Sequence, residues 1–277
     1  MLEPVSEAVV ARPTGPLRAV VAEHHGYRQR GMPPSRHIGL PSPYLTLIFT
    51  LHEPLRVVRH VDPEQRPGEY RTLLGGLHTS PAVLEHGGAQ SGIQLSLSPL
   101  GVRALLGVPA GELSNLDVAV GDLLGRRGDD LQEAVRAAST WGERFRLLDE
   151  GLGRRLDLDR RPPDEVRWAW RLLCASGGRA RIADIAAEVG WSERHLAARF
   201  RTEIGLTPKS AGRVIRFHRA RHLVPYRSGA DVAAICGYAD QSHLVRDFVA
   251  FSGLTPSAWL AAEVGNLQAI GVDLAAH

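Results

Sequence analysis

A pattern of about 24 residues occurs twice in the last third of the chain, and it restricts the fold more than any other feature. The first copy, IADIAAEVGWSERHLAARFRTEIGLTP, begins at Ile182, and the second, VAAICGYADQSHLVRDFVAFSGLTP, begins at Val232. The pairs Leu196 and Leu244, Phe200 and Phe248, and Pro208 and Pro256 are each 48 positions apart. Gly190 and Gly237 are 47 apart, so the second turn contains one extra residue. A pattern repeated at a fixed spacing indicates a duplicated structural unit. The repeat therefore predicts two copies of one small motif.

Each copy has the local signals of a helix, a turn and a second helix. In the first copy the apolar residues recur at spacings of three and four, which places them on one face of each helix. We expect a first helix over Asp184–Val189, a sharp turn at Gly190 and a second helix capped by Ser192. Gly205 is placed to end that helix, and Thr207 with the proline after it to begin the next one. The motif is therefore predicted to be a helix-turn-helix.

Basic residues are concentrated around the first copy. Residues 1–163 contain 19 Lys or Arg and 19 Asp or Glu, whereas residues 179–227 contain 11 against four, a net charge of +7. From Ser228 to Val264 the only basic residue is Arg246, and the net charge is −3. A basic surface suits a phosphate backbone, although charge alone equally fits a solvated helix face. Together with the repeat, the charge favours double-stranded DNA as the partner, held mainly by the first unit.

The N-terminal half of the sequence has the pattern of β-strands rather than of helices. Short β-prone runs separated by glycine and proline predict a compact antiparallel sheet or barrel, with the runs at residues 17–28, 44–51, 55–58, 70–77, 82–86 and 93–97. Helical spacing follows at residues 100–106, 131–138 and 143–156. We expect the first 15 residues to form an irregular tail and the proline-rich segment 32–43 to be a loop.

A charged segment that ends in two prolines, Leu158–Pro163, predicts a domain boundary. The N-terminal domain then spans residues 1–163 and the second domain residues 164–277. We expect Asp164 to cap the first helix of the second domain, and a long helix over Arg213–Val224 to join the two repeats. The predicted fold class is α+β: an antiparallel β domain with trailing helices, followed by an all-α domain with two helix-turn-helix units.

The second helix of each unit is the element that lies in the major groove when a helix-turn-helix binds DNA. The residues predicted on its outward face are Arg194, Ala197, Ala198 and Arg201 in the first unit, and Gln241, Ser242, Val245 and Arg246 in the second. A guanidinium near the helix N-terminus can bridge O6 and N7 of guanine, so Arg194 is the first candidate for base reading. Gln241 suits adenine, Arg246 suits guanine or phosphate, and Arg201 suits phosphate. The alternative for each residue is a solvated helix face.

The doubled motif, and most of all GYADQSHLVRDFVAFSGLTP, resembles the C-terminal DNA-binding domain of the AraC/XylS family of bacterial transcription regulators. The resemblance covers about 100 residues, from Asp164 to Ala262. It implies seven helices, in which one rigid helix holds both recognition helices for successive major grooves. It also implies base contacts at the outward positions above, except Arg201. The chain departs from the family at Ala197 and Ala198, which replace long polar readers, and at Ala211, which replaces an aromatic residue.

The N-terminal half resembles, less specifically, the cupin-like sensor domains that precede this DNA-binding domain. Such domains bind an effector or mediate dimerisation, so the resemblance implies a small-molecule effector. RNA polymerase and a second copy of the chain are the further partners that it allows. The alternative is an architectural or constitutive DNA-binding protein whose N-terminal domain serves only for dimerisation.

Other classes of function are disfavoured by the residues. No cysteine precedes Cys174, and GxSxG, HExxH and phosphate-binding glycine motifs are absent, so an enzyme is not expected. We expect no metal or other cofactor, because the adjacent His24 and His25 point to opposite faces of a strand and cannot share an ion. Cys236 is expected in the core. The N-terminus lacks a secretory signal, and no apolar run is long enough to cross a bilayer, so we expect a cytoplasmic protein.

Overall fold

The computed structural model of the protein describes residues 5–269, with side chains described through Ala262. The N-terminal half contains strands β1 Val5–Ala11, β2 Val21–Arg30, β3 Ser35–Gly39, β4 Leu45–Thr50, β5 Leu55–Arg59, β6 Gly68–Tyr70, β7 Thr72–Gly75, β8 Ala82–His86, β9 Gln90–Leu97 and β10 Asp117–Val118. They form a six-stranded sheet in the order β1-β2-β9-β4-β7-β10 and a four-stranded sheet in the order β3-β8-β5-β6. The pairings are antiparallel, as the sequence predicts.

The two faces of the six-stranded sheet differ because side chains alternate along its strands. On β4, Leu45, Leu47 and Phe49 are buried in the main core with the helices, whereas Ile48 belongs to a second core formed with the four-stranded sheet. Strand β9 alternates in the same way, with leucine and isoleucine toward the helices and Gln94 among the residues toward the other sheet. The face between the sheets is therefore partly polar.

Four helices cover the outer face of the larger sheet: α1 Pro99–Leu106, α2 Val120–Leu124, α3 Arg126–Ala137 and α4 Trp141–Gly153. A buried hydrogen bond ties α4 to β2, with 2.7 Å between His24 Nε2 and Asp149 Oδ1. The other oxygen of the same carboxylate accepts hydrogen bonds from the backbone N–H and the hydroxyl of Thr14. Trp141 lies flat on β2 at Gly26, where an added Cβ would come within 2.7 Å of the indole ring. These contacts fix the helical layer on the sheet.

The C-terminal half is helical, with α5 Asp164–Ala175, α6 Ile182–Glu188, α7 Glu193–Ile204, α8 Pro208–Leu223, α9 Gly229–Cys236, α10 Gln241–Ser252 and α11 Pro256–Ala269. Within the described residues these are the seven helices that the family resemblance implies. Phe217 of α8 lies at the centre, with its ring centroid 5.0 Å from Phe248 and 5.1 Å from Phe251. Cys236 is fully buried in the same core, as predicted.

Four local predictions are wrong. The supposed tail contains β1, which pairs with β2 along its whole length. The segment expected to be a loop contains β3, because the residues between its prolines pair with β8. The run at residues 17–28 is divided between a 3₁₀ helix, Gly15–Ala19, and β2. Pro163 occupies the N-cap of α5, and Asp164 lies in the first turn, where its charge complements the helix dipole.

The domain boundary at residue 163 stays a prediction, and the predicted second domain extends to residue 277, beyond the described residues. Helix α8 begins five residues before the predicted joining helix, at Pro208, because Thr207 caps it and proline fits its first turn. No helix in the described part of the chain is both long and apolar enough to span a membrane.

Candidate nucleic-acid interface

The first helix-turn-helix unit consists of α6 and α7. Gly190 adopts a left-handed conformation in the turn, with φ of 71°, which a residue with a side chain would adopt only under strain. Ser192 caps α7 by accepting a hydrogen bond from the backbone N–H of His195, at 3.2 Å, and the imidazole of His195 packs edge-on against Trp191. Gly205 ends the helix in the left-handed conformation. The predicted turn, N-cap and C-cap are all confirmed.

The second unit, α9 and α10, repeats this geometry. Gly237 has φ of 77°, and Asp240 accepts a hydrogen bond from the backbone N–H of His243 at 2.7 Å. The ring of Tyr238 packs edge-on against His243, as Trp191 does against its histidine in the first unit. The second turn has the same left-handed glycine, but it contains one more residue, Ala239, and has an acid in place of serine at the cap.

Each second helix has one buried face and one solvent-exposed face. Leu196 and Phe200 in α7, like Leu244 and Phe248 in α10, are completely buried. The exposed residues among the predicted contacts are Arg194, Ala198 and Arg201 in α7, and Gln241, Ser242 and Arg246 in α10, whereas Ala197 and Val245 are half-buried at the edge. All eight predicted residues thus lie on or beside the open face of these helices, where a DNA groove has access to them.

Internal ion pairs reduce the difference in surface charge between the units. Of the 11 basic residues in 179–227, eight are exposed: Arg179, Arg181, Arg194, Arg199, Arg201, Lys209, Arg219 and Arg227. Arg213 instead donates to the buried carboxylate of Asp247, with 2.7 Å between Nη2 and Oδ1. The carboxylate of Asp247 is therefore buried and paired with Arg213 and is not part of the exposed surface. The first unit remains the more basic one.

The sequence from residue 185 to residue 262 matches a family model described as a helix-turn-helix domain. This match spans α6 to α11 and includes both units and the joining helix in the order found here. Residues 185–262 therefore form a helix-turn-helix domain of the AraC type. The chain as a whole has the α+β fold class that the sequence predicts.

Solved structures similar to the whole chain include ToxT from Vibrio cholerae. One ToxT structure is 14% identical, with a TM-score of 0.52, and the match covers 86% of this chain and 97% of that chain. ToxT with a bound unsaturated fatty acid is 13% identical, with a TM-score of 0.51, and the match covers 96% and 99%. ToxT bound to (E)-4-(8-methylnaphthalen-1-yl)but-3-enoic acid is 14% identical, with a TM-score of 0.53, over 86% and 98%. No curated protein sequence matches the chain.

A second candidate site of the protein is a cavity between its two halves. It has a volume of about 730 Å³ and opens between the two sheets of the N-terminal half and the helices α8 and α11. Apolar side chains such as Ile48 and Leu73 line its sheet walls, and His218, Arg221 and Trp259 line its helical side. A volume of this size accommodates a small organic molecule.

Burial favours the neutral form of the histidines that line the cavity. Burial lowers the pKa of His37 to about 4 and, helped by Arg221, that of His218 to about 2. Burial also lowers the pKa of His25. Within the described residues, His25 Nε2, His37 Nδ1 and His218 Nδ1 are buried without a hydrogen-bond partner. The cavity therefore offers neutral imidazole groups that can donate to or accept from a ligand.

The sequence did not reveal this cavity, because its lining comes from strands and helices far apart in the chain. The repeat located the DNA-facing residues because their signals are local. The nearest sequence signal for the cavity is the abundance of histidines in the N-terminal half. Of the described groups, no cluster of three or more metal-ligating side chains could hold a metal ion.

Proposed function

We propose that the protein is a cytoplasmic transcription regulator that binds a specific DNA site through both helix-turn-helix units, and that a small molecule in the interdomain cavity controls it. The observation that carries the proposal is the duplicated recognition helix. α7 and α10 each begin at a side-chain cap after a turn with a left-handed glycine, and each has an open face that bears arginine or glutamine near the N-terminus. Residues at this end of a recognition helix are the ones that reach base edges.

Both units act in one chain, so the binding site has two half-sites about one helical turn apart. Arg194 reads a base in one major groove, and Gln241 with Arg246 reads bases in the next. Ala197, Ala198, Ser242 and Val245 are small enough to let the helices lie close to the base pairs. Arg201 binds phosphate.

The effector that we propose is an apolar carboxylic acid. Two observations support this class. The cavity combines apolar walls with the guanidinium of Arg221 and unpartnered imidazole nitrogens, groups that can bind a carboxylate by hydrogen bonds. In addition, the similar ToxT structures contain an unsaturated fatty acid and a naphthalenyl butenoic acid, both of which are apolar acids.

The experiment has two stages. The full chain is first used to select bound fragments of genomic DNA, which yields the operator and the genes beside it. Oleate is then titrated into the full chain, and the melting temperature and operator affinity are measured. At 100 times its dissociation constant a ligand stabilises the folded state by about 2.7 kcal/mol, which raises the melting temperature by several degrees.

Replacing Ser96, a cavity residue on β9, by tryptophan provides the matched control. The Ser96→Trp variant should remain folded but lose the stabilisation by oleate. If a sequence-selective chain responds to no acid of this class, the constitutive alternative replaces the effector proposal. If the selection recovers no preferred DNA sequence, the assignment of the base-reading residues is wrong.

A further inference from the structure

The N-terminal half contacts the DNA-binding half at two places of different character. The first is the C-terminal end of the recognition helix α7. There Arg103 of α1 donates from Nε and Nη2 to the carboxylate of Glu203, at 3.0 to 3.1 Å. The Glu203 side chain is only 4% exposed, so this bidentate ion pair lies inside the interface. Such geometry fixes the direction as well as the distance between the two elements.

A short turn beside α1 strengthens this contact. We call Ala110–Leu113, a 3₁₀ helix, together with Ser114 the docking turn. The hydroxyl of Ser114 donates to the carbonyl oxygen of Gly205, the C-cap of α7, at 2.8 Å. An added Cβ at Gly111 would lie 2.2 Å from the carbonyl oxygen of Thr202, so only glycine permits so close an approach. The end of the first recognition helix is therefore firmly seated on the N-terminal half.

The second place of contact is the cavity. Here the sheet and α8 meet through rings such as Tyr44 and His218, whose centroids are 6.0 Å apart, around a volume of about 730 Å³. Trp259 of α11 lines the same space. The first contact is thus close-packed and ion-paired, whereas the second has room for an occupant.

The docking turn is directly joined to the cavity wall. The backbone N–H of Asn115 donates to the carbonyl of Leu77 at 3.0 Å, and that of Gly76 donates to the carbonyl of Leu116 at 2.9 Å. Gly75 and Asp117, the neighbours of these residues, line the cavity. A displacement of this wall therefore reaches the end of α7 through a few hydrogen bonds.

We propose that Arg103, Glu203 and Ser114 are positioning residues that form a pivot between the two halves. With the first recognition helix fixed at the pivot, filling the cavity moves α8 and α11 relative to α7 and changes the angle between the two recognition helices. Operator binding changes because both helices must fit successive grooves. This inference rests on the proposed control of DNA binding through the cavity, and it names the residues that convert occupancy into a change in affinity.

The test is a double-mutant cycle on operator affinity, in which tryptophan replaces the ligand as the cavity occupant. Four full-length chains are compared: native, Ser96→Trp, Glu203→Leu and the double variant. Leucine suits position 203 because the second unit has an apolar residue, Phe251, at the equivalent position. We expect Ser96→Trp to change the operator Kd by about tenfold in the native chain, within the usual range of allosteric coupling, and by less than about threefold with Glu203→Leu.

Two controls separate positioning from a general loss of structure. Asp247→Asn breaks a buried ion pair of the same kind inside the DNA-binding half, and the tenfold effect of Ser96→Trp should survive it. Arg103→Lys keeps the positive charge but cannot donate two parallel hydrogen bonds to Glu203. In this variant we expect the effect of Ser96→Trp on the operator Kd to lie between the effects in the native chain and in Glu203→Leu. Should Glu203→Leu fail to fold, Ser114→Ala removes the second pivot contact and carries the same expectation.

An equal effect of Ser96→Trp with and without Glu203 overturns the pivot, as does an absence of any effect in the native chain. A wrong choice of effector gives a different result from a wrong assignment of the pivot. If oleate does not stabilise the chain but the effect of Ser96→Trp depends on Glu203, the pivot stands and the proposed ligand is wrong.

Discussion

In the first helix-turn-helix unit, the recognition helix begins at a serine cap and ends against the N-terminal half of the protein. In the second unit it begins at an aspartate cap and ends among the helices of its own domain. Each helix has one buried acid paired with an arginine, but Glu203 pairs with Arg103 of the N-terminal half and Asp247 with Arg213 of α8. The duplication kept the turns and caps, whereas the buried charges connect the two units to different parts of the molecule.

The position equivalent to Glu203 in the second unit makes this difference clear. It is occupied by Phe251, which is buried against Phe217 and lies under the guanidinium of Arg213. The second unit is therefore completed by its own core. The first unit has an ion pair with another part of the chain in place of that apolar contact, and this is the contact through which we propose that the N-terminal half acts.

The largest expected effect comes from removing the arginine of each buried pair. Arg213→Met leaves the Asp247 carboxylate buried without its partner and should lower the free energy of unfolding by about 3 kcal/mol, the low end for a broken buried pair, because Arg213 is partly exposed. Arg103→Met should instead weaken the contact between the halves and leave the helical domain intact. Chemical unfolding followed by tryptophan fluorescence, with hydrogen exchange of α7 and α10, distinguishes the two.

The control is Arg146→Met, which removes an exposed arginine from the surface pair with Glu150 and should leave stability nearly unchanged, because a solvated ion pair contributes little. If Arg103→Met destabilises α10 as much as α7, the comparison between the units is wrong.

The next effect concerns base reading. Arg194→Ala and Arg246→Ala should each weaken operator binding by about 1 to 3 kcal/mol and relax the preference at one base pair. The preferences lost should lie about one helical turn apart, because the two helices enter different grooves. Competition titrations with operators substituted at each position measure both quantities. Unchanged affinity and unchanged preference in both variants would contradict the assignment.

The features that the sequence predicted are those set by neighbouring residues. Ser192, Gly205 and Thr207 act on backbone groups within a few positions, so their roles were readable from spacing. The ion pair of Arg103 with Glu203 joins residues 100 positions apart, and neither residue has a local signal.

The errors have the same origin. Strand β1 has no clear apolar pattern of its own, since its residues gain their structure by pairing with β2. The prolines around β3 indicated a loop, yet five of the six residues between Pro34 and Pro41 pair with β8. Asp164 has the side chain of a cap, but Pro163 has the extended backbone that the cap position requires.

A smaller effect is expected for phosphate contacts. Arg201→Ala should reduce the slope of log K against log salt by about 1 and leave the sequence preference unchanged, because a phosphate contact releases about one counterion. The matched comparison is Arg171→Ala, an exposed arginine on α5 outside the recognition helices. An equal change of slope in the two variants would mean that Arg201 contributes only to the general field of the domain.

The smallest effect tests the acidic cap of the second unit. Asp240 is exposed at the start of α10 and caps it by accepting from the backbone N–H of His243. Asp240→Ser reproduces the cap of the first unit, retains the hydrogen bond and removes one negative charge next to the DNA-facing end. We expect operator affinity to rise by about 0.3 to 1 kcal/mol at low salt, the size of a single surface charge effect, and the gain to shrink as salt screens it.

Asp240→Ala loses both cap and charge, so it should lower thermal stability while Asp240→Ser does not. If affinity is the same with aspartate and serine, charge at the second unit does not limit DNA binding, and the difference between the units lies in their attachment to the N-terminal half alone.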